Sequence, residues 1–188
     1  TAASAAWSSP PPMDLSFAAE PDGTEWSEFP ALAPRHRRLP RGRAIEDVPG
    51  FLEGGWWVQD LAASIPARLL GAGHGRRAFD LCAAPGGKTL QLAAAGARVI
   101  AVDVSAARLR RLGENLERTG LEARLVCADA TAWTPDHPVD AILLDAPCSA
   151  TGTIRRHPDI PFLKTREQIA ALSDLQRRML DHAASIVR

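Results

Sequence analysis

Apolar residues are distributed unevenly along this chain. Up to about residue 40 they are scattered, and residues 1–45 read as a loop-rich N-terminal segment. From residue 58 onward they form stripes and runs. Residues 58–70 place Leu61, Ile65 and Leu69 near one face and predict an amphipathic helix, which Pro66 should kink or split. Residues 77–82, closing on Phe79 and Leu81, predict a buried strand, and the stretch to Ala95 beyond Gly86-Gly87 continues as a helix. Residues 97–103 predict a second strand. Residues 106–118 predict a helix with Leu109, Leu112 and Leu116 on one face, capped by Ser105 and stopped by Thr119-Gly120. Residues 124–127 form a third expected strand. Residues 139–145 form a fourth, almost wholly apolar and so expected to be buried on both faces. Residues 165–187 predict a long helix carrying Ile169, Leu172, Leu175, Gln176, Met179, Leu180 and Ala183, with Thr165 at its cap. Strands alternating with helices imply an α/β architecture, a mostly parallel sheet with helices on both faces.

The N-terminal segment offers fewer signals. Ser8-Ser9-Pro10-Pro11-Pro12 is extended in character, and Trp26 and Phe29 are isolated aromatics that could dock on a neighbour. Arg35-His36-Arg37-Arg38, with Arg41 and Arg43, is a basic cluster that reads either as phosphate contacts or as a solvated linker face. Gly54-Gly55 breaks the chain before Trp56 and Trp57, which serve either core packing or ligand contact.

Length and composition narrow the classes. A chain of 188 residues makes one domain, or one domain with an appendage. Formal net charge is zero, so there is no global pull toward nucleic acid. The three cysteines, Cys82, Cys127 and Cys148, form no short pairs, which argues against a disulfide framework and a zinc site; no metal is expected. No apolar run reaches membrane-spanning length and no signal peptide is visible, so a soluble, cytoplasmic, monomeric protein without membrane partners is expected. The sequence starts at Thr1, so its start need not be the native one.

The candidate chemistry centres on Phe79-Asp80-Leu81-Cys82-Ala83-Ala84-Pro85-Gly86-Gly87-Lys88-Thr89. A strand, a glycine turn and a helix present free backbone N–H groups where a cofactor can approach the main chain. A phosphate-binding P-loop would need glycine where Cys82 stands, and a dinucleotide loop would need G-x-G-x-x-G; neither is present. A nucleoside-type cofactor site of another kind remains. Asp103 ends the second strand on the order of twenty residues later, where an acid accepts hydrogen bonds from ribose hydroxyls. A helix cap is the other reading of Asp103, although Ser105 is better placed for that. Asp129 follows the third strand and reads as a contact to the adenine amino group or as a turn residue. The fourth strand runs into Asp145-Ala146-Pro147-Cys148-Ser149-Ala150-Thr151-Gly152, placing the Cys148 thiol in an exposed turn. Cys127 reads as a small core residue.

Two of these stretches resemble motifs of the RNA cytosine-5 methyltransferases of the Sun/Nop type. The loop from Asp80 to Thr89 is similar to their D-x-C-A-A-P-G-G-K-T, and Asp145 to Gly152 to their D-A-P-C-S-[GA]-x-G, continued by Arg155-Arg156-His157-Pro158-Asp159. From about residue 34 to 188 the order and spacing look like the RsmB/Sun-type enzymes that methylate a cytosine of small-subunit ribosomal RNA. The resemblance implies a Rossmann-like fold and S-adenosylmethionine as cofactor, contacted by Cys82, Ala83, Ala84, Pro85, Gly86, Gly87, Lys88, Asp103, Asp129 and Asp145. It implies catalytic roles for Cys148, Asp145 and Lys88. It implies RNA contacts by Arg155, Arg156 and His157, which as loop residues could also simply be solvated. Lys88 could equally be a surface helix lysine. In the family a cysteine attacks carbon-6 of the base, making an enamine-like adduct that lets carbon-5 take the methyl group. The nucleophile sits in a later Thr-Cys motif, and the Pro-Cys cysteine assists product release. No Thr-Cys occurs here, so the chain is expected to be a fragment with its C-terminal strands truncated, holding cofactor but turning over poorly. Residues 1–45 would then be a remnant of an RNA-binding region and residues 46–188 an incomplete catalytic domain. Other classes stay open. One is a cofactor-binding or ribosome-docking module. Another is an amino-group methyltransferase, which prefers Asp/Asn-Pro-Pro-aromatic where Asp145-Ala146-Pro147-Cys148 stands. The last is a dehydrogenase, whose glycine fingerprint is missing.

Overall fold

A computed structural model describes residues 11–40, 43–71 and 73–188. Two sheets make up its strands. The first is antiparallel, with order β2-β3-β1-β4: β1 (Asp14–Phe17), β2 (Ala31–Ala33), β3 (His36–Arg38) and β4 (Trp56–Val58). The second is parallel, with order β7-β6-β5-β8: β5 (Arg77–Leu81), β6 (Arg98–Asp103), β7 (Ala123–Cys127) and β8 (Ala141–Leu144). In register, Leu81 stands beside Val102 and Leu144, and Asp103 beside Cys127, so the C-terminal tips of the parallel strands lie side by side.

Helices cover both faces of the parallel sheet. On one face pack α1 (Leu61–Leu70), α2 (Gly87–Ala94) and α3 (Ala106–Thr119). Ala67, Ala78, Leu92, Val99, Ala141 and Leu143 form one cluster there, and Ala83, Leu90, Ala101, Leu109, Leu112 and Leu116 another. The Ser105 hydroxyl accepts from the Arg108 N–H, and Gly120 closes α3 in the left-handed conformation, as the caps in the sequence predict. A four-residue helix, α4 (Ile160–Leu163), precedes α5 (Arg166–Ile186). The latter starts in a reciprocal Thr165/Gln168 capping box and buries Met179 and Ala183 against Phe79, Leu81 and Val102 on the opposite face.

Four expectations change. Residues 14–38, read as loop, form three strands around a core of Leu15, Phe17, Phe29, Leu39, Val48 and Trp56. Four described members of the basic cluster are engaged within the fold. Arg38 is paired with buried Asp14 at 2.7 Å, Arg37 with Glu20 at 2.6 Å, Arg43 with Glu28, and buried His36 with Ser16 at 2.9 Å. Ser8, Ser9 and Pro10 of the polyproline stretch and Arg41 lie outside the described residues. Second, α1 starts at Leu61 on the Asp60 cap and turns Ile65 and Leu69 to solvent, burying Ser64 and Ala67 instead. Small residues face α2, so the Ser64 carbonyl can accept a hydrogen bond from Gln91 at 3.0 Å. Pro66 does not split the helix because both it and Ala62, whose carbonyl it leaves unpaired, are exposed. Third, Cys127 is exposed, because it ends the edge strand β7. Fourth, β8 buries Ala141 and Leu143 but leaves Ile142 and Leu144 half-buried, because it too lies at a sheet edge.

Candidate active site

The site grows from the turn between β5 and α2. The chain leaves β5 through Cys82, which takes a left-handed φ of 63°, passes a cis Ala84–Pro85 bond and reaches Gly86 at φ 106°. A side chain at Gly86 would place Cβ 2.1 Å from Leu112 Cδ1, so only glycine lets the turn lie this close to α3. The turn is stitched to β6: the Ala83 N–H donates to the Val102 carbonyl at 3.1 Å, and the Ala84 N–H to Asp103 Oδ2 at 3.2 Å. Asp103 is 1% exposed and also accepts at Oδ1 from the Ser105 N–H at 2.9 Å and from Arg108 at 2.8 Å. A buried carboxylate with three donors is well satisfied.

Asp80, one strand over and equally buried, is treated differently. It accepts from the Thr89 hydroxyl at 2.6 Å, while its Oδ1 has no partner. Burial first, then the negative charges of Asp145 and Asp103, push its carboxyl up to about 7, against the opposing pull of Thr89 and Lys88. Burial beside Asp103, Asp145 and Asp80 likewise pushes the Cys82 thiol up to about 11, which leaves it a neutral wall rather than a nucleophile.

A cavity of about 390 Å3 opens at the strand tips, lined by Cys82, Ala84, Asp103, Asp129 and Asp145 among the residues that the sequence selects. Val104, Arg108, Ala130, Pro147, Leu175 and Met179 complete it. A larger groove of about 790 Å3 lies elsewhere, where Arg77, Arg98 and Arg124 line it, and contains none of the selected residues. In open parallel sheets ligands sit outside the carboxyl ends of the strands, so the smaller cavity is the candidate site. Asp129 is exposed and accepts from the Thr131 N–H and hydroxyl, both at 2.8 Å; these bonds hold its carboxyl below the usual range.

Ala83, Pro85, Gly86 and Gly87 shape the turn without lining the cavity. Lys88 is no free surface lysine: it pairs at 2.5 Å with Asp145, which lines the cavity, without lining the cavity itself. Cys148 is exposed next to cavity-lining Pro147, and its sulfur accepts from the Ala150 N–H at 3.3 Å. Arg156 bonds Asp60 at 2.9 Å and so ties the loop after β8 to the start of α1. His157 is exposed, and Arg155 lies in the same loop. Trp56 and Trp57 are core residues, and Trp57 reaches Gln59 at 3.0 Å, which in turn bonds Gln91 of α2.

Sequence reasoning passed over Arg108 and Gln176 as site residues. A cation in the first turn of a helix opposes the helix dipole, and that misfit was the available signal for Arg108. Gln176, which donates to the Pro147 carbonyl at 2.8 Å, gives none.

The fold is that of the Rossmann-like methyltransferases. A methyltransferase homolog protein from Pyrococcus horikoshii superposes with a TM-score of 0.79 at 26% identity, covering 98% of this chain and 63% of the other. The structure of NSun6 from Pyrococcus horikoshii with SFG matches with a TM-score of 0.69 at 32% identity, covering 82% and 40%. Residues 67–188 match the family described as 16S rRNA methyltransferase RsmB/F, and the chain belongs to that family. Among curated relatives, ribosomal RNA small subunit methyltransferase B of Pseudomonas syringae pv. tomato is 50% identical over 143 residues, 73% of this chain and 32% of the relative. The chain thus spans about a third of the length of the curated relatives it matches.

Proposed function

We propose that the protein methylates carbon-5 of a cytosine in small-subunit ribosomal RNA, with S-adenosylmethionine as donor. The observation that carries this reading is the meeting of Asp103, Asp129 and Asp145 in one cavity beside the Pro147-Cys148 turn. The cavity suits such a donor: a buried carboxylate for ribose hydroxyls at Asp103, an exposed one for the adenine amino group at Asp129, and a turn whose Gly86 keeps the wall close. When bound, S-adenosylmethionine supplies an electrophilic methyl group.

The chain's own residues orient the base and manage protons. Asp145, held by Lys88, faces both donor and target base. A cytosine must leave its stack to enter, which favours an unpaired region of RNA. Covalent catalysis by cysteine makes carbon-5 nucleophilic after attack at carbon-6, and release requires loss of the carbon-5 proton and expulsion of the cysteine. Cys148 takes the helper role in that release, the part that the Pro-Cys cysteine plays where a separate Thr-Cys cysteine is the nucleophile; no Thr-Cys occurs in these 188 residues. Residues 1–45 belong to the RNA-contacting part and residues 46–188 to the catalytic domain.

The test is methyl transfer from labelled S-adenosylmethionine to undermethylated small-subunit ribosomal RNA, read by bisulfite sequencing, with Cys148→Ala beside the unaltered protein. Carbon-5 methylation at one cytosine supports the proposal. Label on an exocyclic amine or a ribose overturns it. Donor binding without transfer is the result expected of a chain that lacks a Thr-Cys, as these 188 residues do; donor binding without transfer by a protein that also carries the Thr-Cys strand favours the docking-module reading.

A further inference from the structure

The stretch after the Pro147-Cys148 turn leaves two neighbouring large apolar side chains open to solvent. Phe162 is 89% exposed, the most open large apolar side chain among the described residues, and Leu163 beside it is 61% exposed. An exposed phenyl ring forgoes the stabilisation that burial would bring, so a contiguous exposed apolar pair points to an occupant. The backbone that presents the ring is firmly built. The His157 N–H donates to the Thr153 carbonyl at 2.9 Å, the Ile160 N–H to the His157 carbonyl at 3.2 Å, and the Phe162 N–H to the Asp159 carbonyl at 2.9 Å. Ile160, two positions earlier, is 8% exposed and pins α4 to the body. The Thr165 capping box fixes the other side.

The surroundings are cationic. In a chain of zero net charge, residues 155–166 hold Arg155, Arg156, Lys164 and Arg166 against the single carboxylate of Asp159. The stretch follows cavity-lining Pro147 in sequence; Arg156 is anchored on Asp60, and Gln176 of α5 holds the Pro147 carbonyl. An aromatic ring in a basic stretch is the combination that binds single-stranded nucleic acid: bases stack on the ring while cations track the phosphates.

We infer that Phe162 is a stacking platform for an unpaired nucleotide flanking the target cytosine, with Lys164 and Arg166 on the adjoining phosphates. This rests on the RNA reading above and adds a site to it.

The test uses single-stranded RNA from the small subunit carrying 2-aminopurine beside the target cytosine, whose fluorescence falls on stacking. The unaltered protein should quench the probe. Phe162→Leu, which keeps apolar bulk and loses the aromatic face, should weaken binding roughly ten- to hundredfold and abolish quenching. Phe162→Trp should retain both. Lys164→Gln with Arg166→Gln should lower the salt slope of binding by about 1.4 and leave quenching at saturation intact. S-adenosylmethionine binding and melting temperature should not move in any variant. RNA bound equally by protein and Phe162→Leu overturns the platform while leaving the RNA reading standing. No binding of RNA by the unaltered protein overturns both. Self-association that is lost in Phe162→Leu overturns the platform in favour of a second copy as occupant.

Discussion

In the antiparallel sheet the charged side chains are spent internally: Arg38 on Asp14, Arg37 on Glu20, His36 on Ser16. In the parallel sheet the acids Asp103, Asp129 and Asp145 gather at the C-terminal tips, where they line a cavity and Lys88 and Arg108 answer two of them, while Arg77 and Arg98 open β5 and β6 at the other end. The same residue types therefore do opposite work. In short antiparallel strands they stabilise pairing that brief apolar runs cannot. At the tips of the parallel strands they gather around a cavity instead.

If the antiparallel sheet is the brace of the second, damaging its core should cost the most. Trp56 is fully buried, and Trp57 beside it packs with Ala83, Leu90 and Leu112 of the site-bearing layer. Trp56→Ala should cost about 3–5 kcal/mol in a single cooperative melt. A melt that splits in two, with cofactor binding surviving the first step, would break the comparison by making the sheets independent.

A second test sharpens it within the parallel sheet. Asp80, raised to about 7, holds a proton in the folded state that an unfolded carboxyl releases near pH 4. The folded state therefore binds more protons across that window, and this group's contribution to stability falls as pH rises from about 4 to about 7, then levels. Asp80→Asn removes the dependence. Relative to the unaltered protein it should gain stability over that range, on the order of a few kcal/mol, measured by urea unfolding at several pH values. Parallel stability curves for the two proteins would contradict the buried-acid account.

The smallest effect belongs to the exposed latch. Arg156 and Asp60 are both partly exposed, 43% and 40%, so Arg156→Gln should change stability by no more than about 1 kcal/mol. It should nevertheless free the loop that carries Cys148, which a faster rate of thiol labelling at that residue would record. An unchanged rate would mean that the Lys88 and Gln176 anchors suffice.

The comparison also explains what the sequence could tell. The parallel half was legible because its signals are local. Apolar runs mark β5, β6 and β8, three leucines mark one face of α3, Ser105 and Thr165 mark caps, and a glycine turn marks the site. The antiparallel half was not, since a strand reading His36-Arg37-Arg38 has no periodicity and forms only because β1 lies beside it with Asp14 opposite Arg38. Trp56 pairs with Phe17, far back in the chain. On α1 the leucine spacing misled, because close approach to α2 selects the small Ser64 and Ala67. Within the site, strand-end acids could be found by position, whereas the Thr89–Asp80 bond, the Arg108–Asp103 pair and the Gln176 contact exist only once the elements pack.

The central claim is that the strand-tip cavity receives S-adenosylmethionine, and Asp129 tests it most directly because its exposed side chain bonds only Thr131 among the described residues. Calorimetric titration should give one donor per chain, and Asp129→Ala should weaken affinity about tenfold, the worth of one hydrogen bond to a charged group, with a melting temperature lowered by only a few degrees through loss of the Thr131 bonds. Equal affinity in the two proteins, or no heat of binding with the unaltered one, would contradict the account.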